Sequence, residues 1–297
     1  MIKIRGVNKK FNDFLALEDI NIDIKKGTIH GIIGENGAGK TTLLQMLAGV
    51  YTVDEGQILI DGEKIYGNNK IKQKIGYVAD RNQYFKGYKA SEMVNFYSGI
   101  YQYFSEEKFY EYNKVFKLDL DKKVKELSKG MQMRLALMLN LSLGPEILIL
   151  DEPTSGLDAI VKKELVDILI EEINEKNTTI VISSHHIGEL EKICDEVTIL
   201  NKGKIKYVSN IDEIKENIKK LQVVFNLDVG DKLKTIDSII NVEKIGSVYY
   251  IVTDNYGEKI LEDLRNIGAE LIEIVGITLE EIFIYTNRSL DGSDINE

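Results

Sequence analysis

The octapeptide GENGAGKT, Gly34 to Thr41, constrains this 297-residue chain more than any other stretch. Gly34, Gly37 and Gly39 let the backbone fold inward, so that successive N–H groups converge on an anion. The spacing fits G-x-x-x-x-G-K-[ST], in which Lys40 reaches terminal phosphates and the Thr41 hydroxyl can ligate Mg²⁺. The flanks agree with that reading. TIHGII (Thr28 to Ile33) is an apolar run with the length of a buried strand, and a helix is expected from near Gly39 through LLQMLAGV. A loop of this kind joins a buried strand to a helix, and strands alternating with helices imply an α/β architecture.

The rest of the chain supplies the other strands. The first thirty residues alternate as strands do, and QILIDGEKI (Gln57 to Ile65) reads as a hairpin turning at Asp61-Gly62. EILIL, TTIVIS and EVTIL are short apolar runs separated by helical patterns, which implies a mainly parallel sheet. Residues 91 to 142 read as mainly helical. After about Asn210 the pattern changes to a small α+β unit, with amphipathic IDEIKENIKK, strand-like VVFNL and VYYIVT, helical EKILEDLRNIG and strand-like ELIEIV. The expected division is 1–210, with a helical subdomain at about 84–142, then 211–288, and a polar tail over 289–297.

Composition narrows the class. Apolar content of 43% and charged content of 29% belong to a folded chain. No run of eighteen uncharged apolar residues occurs, so no membrane span is expected, and the N-terminus lacks a signal-peptide core. A net charge of −10 argues against nonspecific nucleic-acid binding. The single cysteine, Cys194, excludes an intrachain disulfide and reads as a small buried hydrophobe in an apolar helical stretch, IGELEKICDEV. These features fit a reducing cytoplasm.

Two further stretches bear on phosphate chemistry. ILILDE (Ile147 to Glu152) places Asp151 at the end of a buried strand, where it can hold Mg²⁺, and Glu152 where an attacking water would be polarised. LSKGM (Leu127 to Met131) opens a helix with Ser128 as N-cap, a second start that suits an anion.

Taken together, GENGAGKT, ILILDE, LSKGM, SGLD (Ser155 to Asp158) and the histidine of VISSHH resemble the ATP-binding subunits of ABC proteins over roughly Met1 to Val208. The resemblance implies a P-loop ABC ATPase fold: a mixed sheet with an antiparallel β subdomain and an inserted helical subdomain, here followed by the α+β unit. It implies that Gly34, Glu35, Asn36, Gly37, Ala38, Gly39, Lys40, Thr41 and Thr42 bind ATP, that Phe11 stacks on adenine, and that Thr41 and Asp151 hold Mg²⁺. Glu152 and His185 would be catalytic. Two copies would pair head to tail, so that Ser128, Lys129, Gly130 and Asp158 serve the nucleotide held by the other copy.

The chain departs from the family in two places. Lys129 and Met131 replace a glycine and a glutamine of the family's LSGGQ. In IGYVADRNQ (Ile75 to Gln83), Asp80 stands where the family usually has glutamine, leaving Asp80 or Gln83 to approach the metal. Twelve of the 24 aromatic residues fall between Tyr84 and Phe116, and Tyr84, Phe85 and Tyr88 lie beside this loop, where the resemblance implies docking of a membrane subunit. KGMQMRLAL, DEPTSGLD and ITLEEIFI look most like ATPases of bacterial exporters with small membrane subunits. The expected assembly is two copies of this chain beneath two integral membrane subunits, on the cytoplasmic face of the membrane and without nucleic acid. A soluble non-transport ATPase and a weakly hydrolysing regulatory subunit are the alternatives.

Overall fold

The computed structural model describes residues 1–82, 84–185 and 187–290, and the chain divides into two units, Met1–Val208 and Ser209–Glu297. In the first, β1 (Ile2–Phe11), β2 (Phe14–Ile24) and β3 (Ile29–Ile33) lead into α1 (Lys40–Leu47). Next come β4 (Glu55–Ile60), β5 (Glu63–Lys64), α2 (Asn69–Lys72) and β6 (Ile75–Val78). The helices α3 (Ala90–Ile100), α4 (Glu106–Phe116) and α5 (Lys129–Leu141) form the inserted helical segment. The chain continues with β7 (Ile147–Asp151), α6 (Ala159–Lys176), β8 (Thr179–Ser184), α7 (Ile187–Leu190), β9 (Glu196–Asn201) and β10 (Lys204–Asn210), in which the first unit ends.

The N-terminal alternation builds an antiparallel sheet in the order β2-β1-β4-β5. Its β4–β5 turn puts Asp61 and Gly62 at positive φ, as the expected hairpin requires. The apolar runs build a second sheet, β10-β9-β3-β8-β7-β6, in which β3 lies parallel to β8 and β9, and β7 parallel to β6 and β8. Strands β3, β7 and β8 are buried along their whole length because neighbours cover both faces. Leu43, Leu44, Met46 and Leu47 of α1 join Ile32, Ile149 and Val181 in one core, which fixes α1 against the sheet. Register then does the work that matters: Ile33 aligns with Ser184, and Asp151 with Ser183, so the carboxyl ends of β3, β7 and β8 open at one edge.

The second unit carries α8 (Ile211–Asn217), β11 (Lys219–Phe225), α9 (Gly230–Leu233), β12 (Ile239–Ile245), β13 (Val248–Thr253), α10 (Glu258–Ile267), β14 (Ala269–Val275) and α11 (Leu279–Leu290). From β11 to β14 the order is βαββαβ, and the sheet runs β12-β13-β11-β14 with antiparallel pairs throughout. This is the ferredoxin-like arrangement. Leu221, Val223, Tyr249, Ile251, Ile260 and Leu264 form its core.

Three local expectations need correction. Helix α1 stops at Leu47, where Gly49 adopts a φ of 68°, rather than running through Val50. The helix around Cys194 stops at Leu190. Beyond it the Asp195 carboxylate accepts a hydrogen bond from the Ile29 N–H at 2.8 Å and draws the chain into the sheet. Cys194 Sγ packs over β3, 3.0 Å from where a Cβ on Gly31 would lie, and burial pushes its thiol up, in keeping with a structural role. Strand β12 has no counterpart among the expected strands. No helix among the described residues is long and apolar enough to cross a membrane.

Candidate functional site

At the end of β3 the chain turns back through Gly34–Gly39 before entering α1. Gly39 has a φ of 104°, and a Cβ there would meet Leu17 at 2.7 Å and the Ala16 carbonyl at 2.9 Å, so only glycine fits. The Lys40 ammonium is buried at 6% exposure. It donates to the Gly34 carbonyl at 2.6 Å and the Glu35 carbonyl at 3.2 Å, and lies 3.6 Å from Glu152 Oε1. Its charge is thus balanced within the chain, with carbonyl oxygens where phosphate oxygens would otherwise serve.

Glu152 bridges two neighbours. Its Oε2 lies 2.6 Å from His185 Nδ1 and accepts from the His185 backbone N–H at 3.3 Å, while Oε1 faces Lys40. Its backbone sits at a φ of 50°, a left-handed conformation that costs a non-glycine residue on the order of 1–3 kcal/mol. The Ser183 carbonyl and hydroxyl both accept from the Glu152 N–H, at 3.2 and 3.1 Å, and hold it there. Such strain beside a buried lysine is the mark of a site that positions a carboxylate rather than merely tolerating one.

Asp151, one residue earlier, is almost fully buried. Burial pushes its carboxyl up, hydrogen bonds from Ser183 and Thr41 pull it back down, and the nearby Glu152 and Asp80 charges add to the rise. Ser183 Oγ donates to Oδ1 at 2.7 Å, while Oδ2 lacks a well-formed hydrogen bond among the described residues. A buried, unsatisfied carboxylate oxygen beside a threonine hydroxyl suits a hard cation. The donor set therefore fits Mg²⁺, with Thr41 and Asp151 as the residues to hold it.

The segment opened by Ser128 lies elsewhere in the chain's topology. Ser128 Oγ accepts from the Met131 N–H at 3.3 Å, capping α5, and Lys129 is already helical rather than at positive φ. The Lys129 substitution therefore leaves the cap intact. Gly130 is required for another reason: a Cβ there would lie 2.3 Å from the Gly156 carbonyl. Arg134 donates to Asp158 Oδ2 at 2.7 Å, and Asp158 Oδ1 caps α6 through the Val161 N–H at 3.0 Å. That backbone hydrogen bond, ahead of Arg134, holds the Asp158 carboxyl below the usual range. Residues 129 to 134 and 155 to 158 are thereby fastened into one body. Lys129 Nζ itself donates to Asp80 Oδ1 at 2.7 Å and Ser155 Oγ at 3.0 Å. The ion pair is half-exposed, and pairs of this kind contribute about 0–1 kcal/mol.

Sequence reasoning placed Asp80 near a metal but missed that it pairs with Lys129; the signal was present in two unusual residues of opposite charge. Gln83, and His186 next to His185, lie outside the described residues. Phe11 ends β1, in the hairpin whose Ala16 and Leu17 meet Gly39. Its ring packs edge-on against Tyr51 at 5.2 Å, with Lys9 Nζ 5.3 Å from its centroid. Beside Asp80, a cavity of about 980 Å³ is lined by Arg81, Tyr84, Phe85, Lys125, Lys129 and Met133, among others. Phe85 and Tyr88 are exposed and stack at 5.1 Å, whereas burial drives the Tyr84 hydroxyl up, consistent with an inward ring.

Comparison with known proteins agrees with this geometry. The family model described as ABC transporter matches residues 17–155, and one described as AAA domain, putative AbiEii toxin, Type IV TA system matches residues 123–191. The chain is 31% identical over 284 residues to the ABC transporter ATP-binding protein YtrB of Bacillus subtilis, covering 96% of this chain and 97% of that one. It is 30% identical over 280 residues to the sulfate/thiosulfate import ATP-binding protein CysA of Pseudomonas syringae pv. tomato, covering 90% and 86%. Among solved structures, the dimeric ATP-binding cassette MJ0796 in a post-hydrolysis state with ADP and Pi superposes with a TM-score of 0.65 at 26% identity, covering 71% of this chain and 99% of that one.

Proposed function

The chain belongs to the ATP-binding proteins of ABC transporters, and we propose that it is the ATPase of an exporter, closing in pairs on ATP beneath separate membrane subunits. It is an ABC-type ATP hydrolase. The observation that carries the mechanism is the convergence of Lys40, Asp151, Glu152 and His185 at the carboxyl edge of three parallel strands.

The P-loop N–H groups and Lys40 receive the phosphates of ATP. Lys40 must first leave the Gly34 carbonyl and its Glu152 neighbour, and the phosphate offers it more charge than either. Glu152 Oε1 is then turned toward water, while His185 keeps Oε2 in place. That frees one carboxylate oxygen to polarise the attacking water in line with the γ-phosphate. Thr41 and Asp151 would hold Mg²⁺, which when bound supplies positive charge against the phosphate oxygens. Phe11 supports adenine, entering from the hairpin that borders Gly39.

The second copy completes each site with Ser128, Gly130 and the segment ending at Asp158. Asp158 keeps its carboxylate for its own chain, so its contribution to the partner is to shape that segment. Dimeric cassettes among the structural relatives support the pairing. The aromatic and basic cavity beside Asp80 is the surface offered to a membrane subunit, and it supports a peripheral location at the membrane face. The exporter reading rests on the resemblance of KGMQMRLAL, DEPTSGLD and ITLEEIFI to exporter ATPases, against several import relatives of the CysA type.

Glu152→Gln tests the mechanism. The variant should lose hydrolysis by about 10²–10⁴-fold and accumulate as an ATP-bound pair. Sedimentation in saturating Mg-ATP reads the second result, and a variant that binds ATP yet stays monomeric would overturn the composite site. Copurification of a multi-span protein from native membranes, followed by transport assays in inside-out vesicles, distinguishes export from import. The bond between Asp80 and Lys129 favours a second reading, a weakly hydrolysing regulatory subunit; a wild-type turnover no faster than that of Glu152→Gln would select it.

A further inference from the structure

Asp80 and Lys129 are 49 residues apart in sequence and 2.7 Å apart in space. Asp80 follows β6; Lys129 begins α5; and Ser155, the ammonium's other partner at 3.0 Å, follows β7. One ammonium therefore ties together the three loops at which the membrane-facing cavity, the partner's nucleotide and the chain's own nucleotide meet.

We propose that this is an exchangeable ion pair: Asp80 holds Lys129 in the unpaired chain, and the γ-phosphate of ATP bound by a second copy takes the ammonium over when the two copies close. The proposal rests on the paired-copy reading above and deepens it, because it adds a charged phosphate contact to a contact otherwise made by the Ser128 hydroxyl and helix N–H groups.

The surroundings suit exchange better than a fixed brace. Lys129 is half-exposed, so an incoming ligand reaches it without unfolding anything. Its backbone is not free to follow: Gly130 is wedged against Gly156, and Arg134 binds Asp158. Movement is thus confined to the lysine side chain, whose four-carbon stem pivots from a rigid base. A terminal phosphate carries more charge and more acceptor oxygens than one carboxylate, and the closing of two copies excludes the water that screens the exposed pair.

Exchange has a consequence inside the chain. Released Asp80 is a free carboxylate in the wall of the cavity it shares with Arg81, Tyr84 and Lys125. Engagement of the partner's ATP would thereby change the charge of the surface offered to a membrane subunit. ADP, lacking the γ-phosphate, would return Lys129 to Asp80.

The test uses the full chain carrying Glu152→Gln, with the dissociation constant of the Mg-ATP pair measured by sedimentation equilibrium. Adding Lys129→Ala should weaken pairing by about tenfold or more, as loss of a charge-assisted phosphate contact would. Adding Asp80→Ala should tighten it by about threefold or more, because the competing carboxylate is gone. Swapping the charges, Asp80→Lys with Lys129→Asp, restores an intrachain pair but faces the phosphate with an anion, and should stay at least as weak as Lys129→Ala. Lys129→Arg keeps the charge and should recover most of the affinity, which separates the effect from misfolding. If both alanine variants weaken pairing alike and the swap restores it, the pair is a fixed brace and the proposal fails. If pairing ignores Lys129 altogether, exchange alone fails. If the Glu152→Gln parent never pairs in Mg-ATP, the composite-site reading fails with it.

Discussion

The P-loop and the segment around Ser128 each hold a lysine on oxygen atoms of the same chain, but Lys40 is 6% exposed and Lys129 50%. Lys40 lies among backbone carbonyls and Glu152 in a site built by three buried strands. Its charge has nowhere else to go. Lys129 projects from the first turn of a helix, between two loop residues. The difference teaches that a parked charge is integral to the fold when it is buried and disposable when it is exposed, even where both are proposed to meet phosphate.

Lys40→Ala should give the largest effect. It removes the charge proposed to meet the phosphates and leaves Glu152 without its buried neighbour, so hydrolysis should fall by on the order of 10³-fold or more, measured as steady-state phosphate release. Gly130→Ala should follow. Its new Cβ would collide with the Gly156 carbonyl, and the strain should cost about 1–3 kcal/mol in urea unfolding. Equal stability to the parent would mean that the two segments are less firmly joined than their close approach implies.

Glu196→Gln sharpens the comparison with an ion pair that has no ligand to exchange for. Glu196 lies against buried His30 and receives a hydrogen bond from Lys25 at 2.6 Å. His30, then Lys25, hold its carboxyl down at about 2. A depressed carboxylate pKa adds stability that is present above the unfolded value of 4.5 and is lost as pH falls toward 2. The substitution should cost about 1–2 kcal/mol at pH 7, after allowance for solvent screening of Lys25, and should flatten the acid-unfolding profile between pH 5 and 2. Lys129→Ala should come last, changing stability by no more than about 0.5 kcal/mol. If it costs as much as Glu196→Gln, the contrast between buried and exposed charge does not hold here.

Legibility in the sequence followed the range of the interactions. Gly39, Lys40 and Thr41 are local signals: tight turn, strand end and helix start occur within ten residues, so their placement was readable. Asp151 and Glu152 were readable for the same reason, since four apolar residues announce the strand that carries them. The Asp80–Lys129 bond was not, because it depends on how the inserted helices fold back. Strand β12 escaped notice because its Ile239, Ile240 and Val242 are only half-buried on a sheet edge and show no clean alternation. The ferredoxin-like strand order was equally hidden, as it is set by pairings between distant segments. The helix expected around Cys194 failed because Asp195 found a partner on Ile29, a tertiary bond that local periodicity does not foresee.

The left-handed backbone at Glu152 bears on how this protein would answer selection. Glycine adopts that conformation freely, so Glu152→Gly would relieve backbone strain of about 1 kcal/mol, but it would also strip the buried Lys40 ammonium of its carboxylate neighbour. The same change removes the carboxylate proposed to polarise water. The strain therefore persists because the side chain it presents is wanted by two neighbours at once, and selection for robustness alone would find no easy way to remove it.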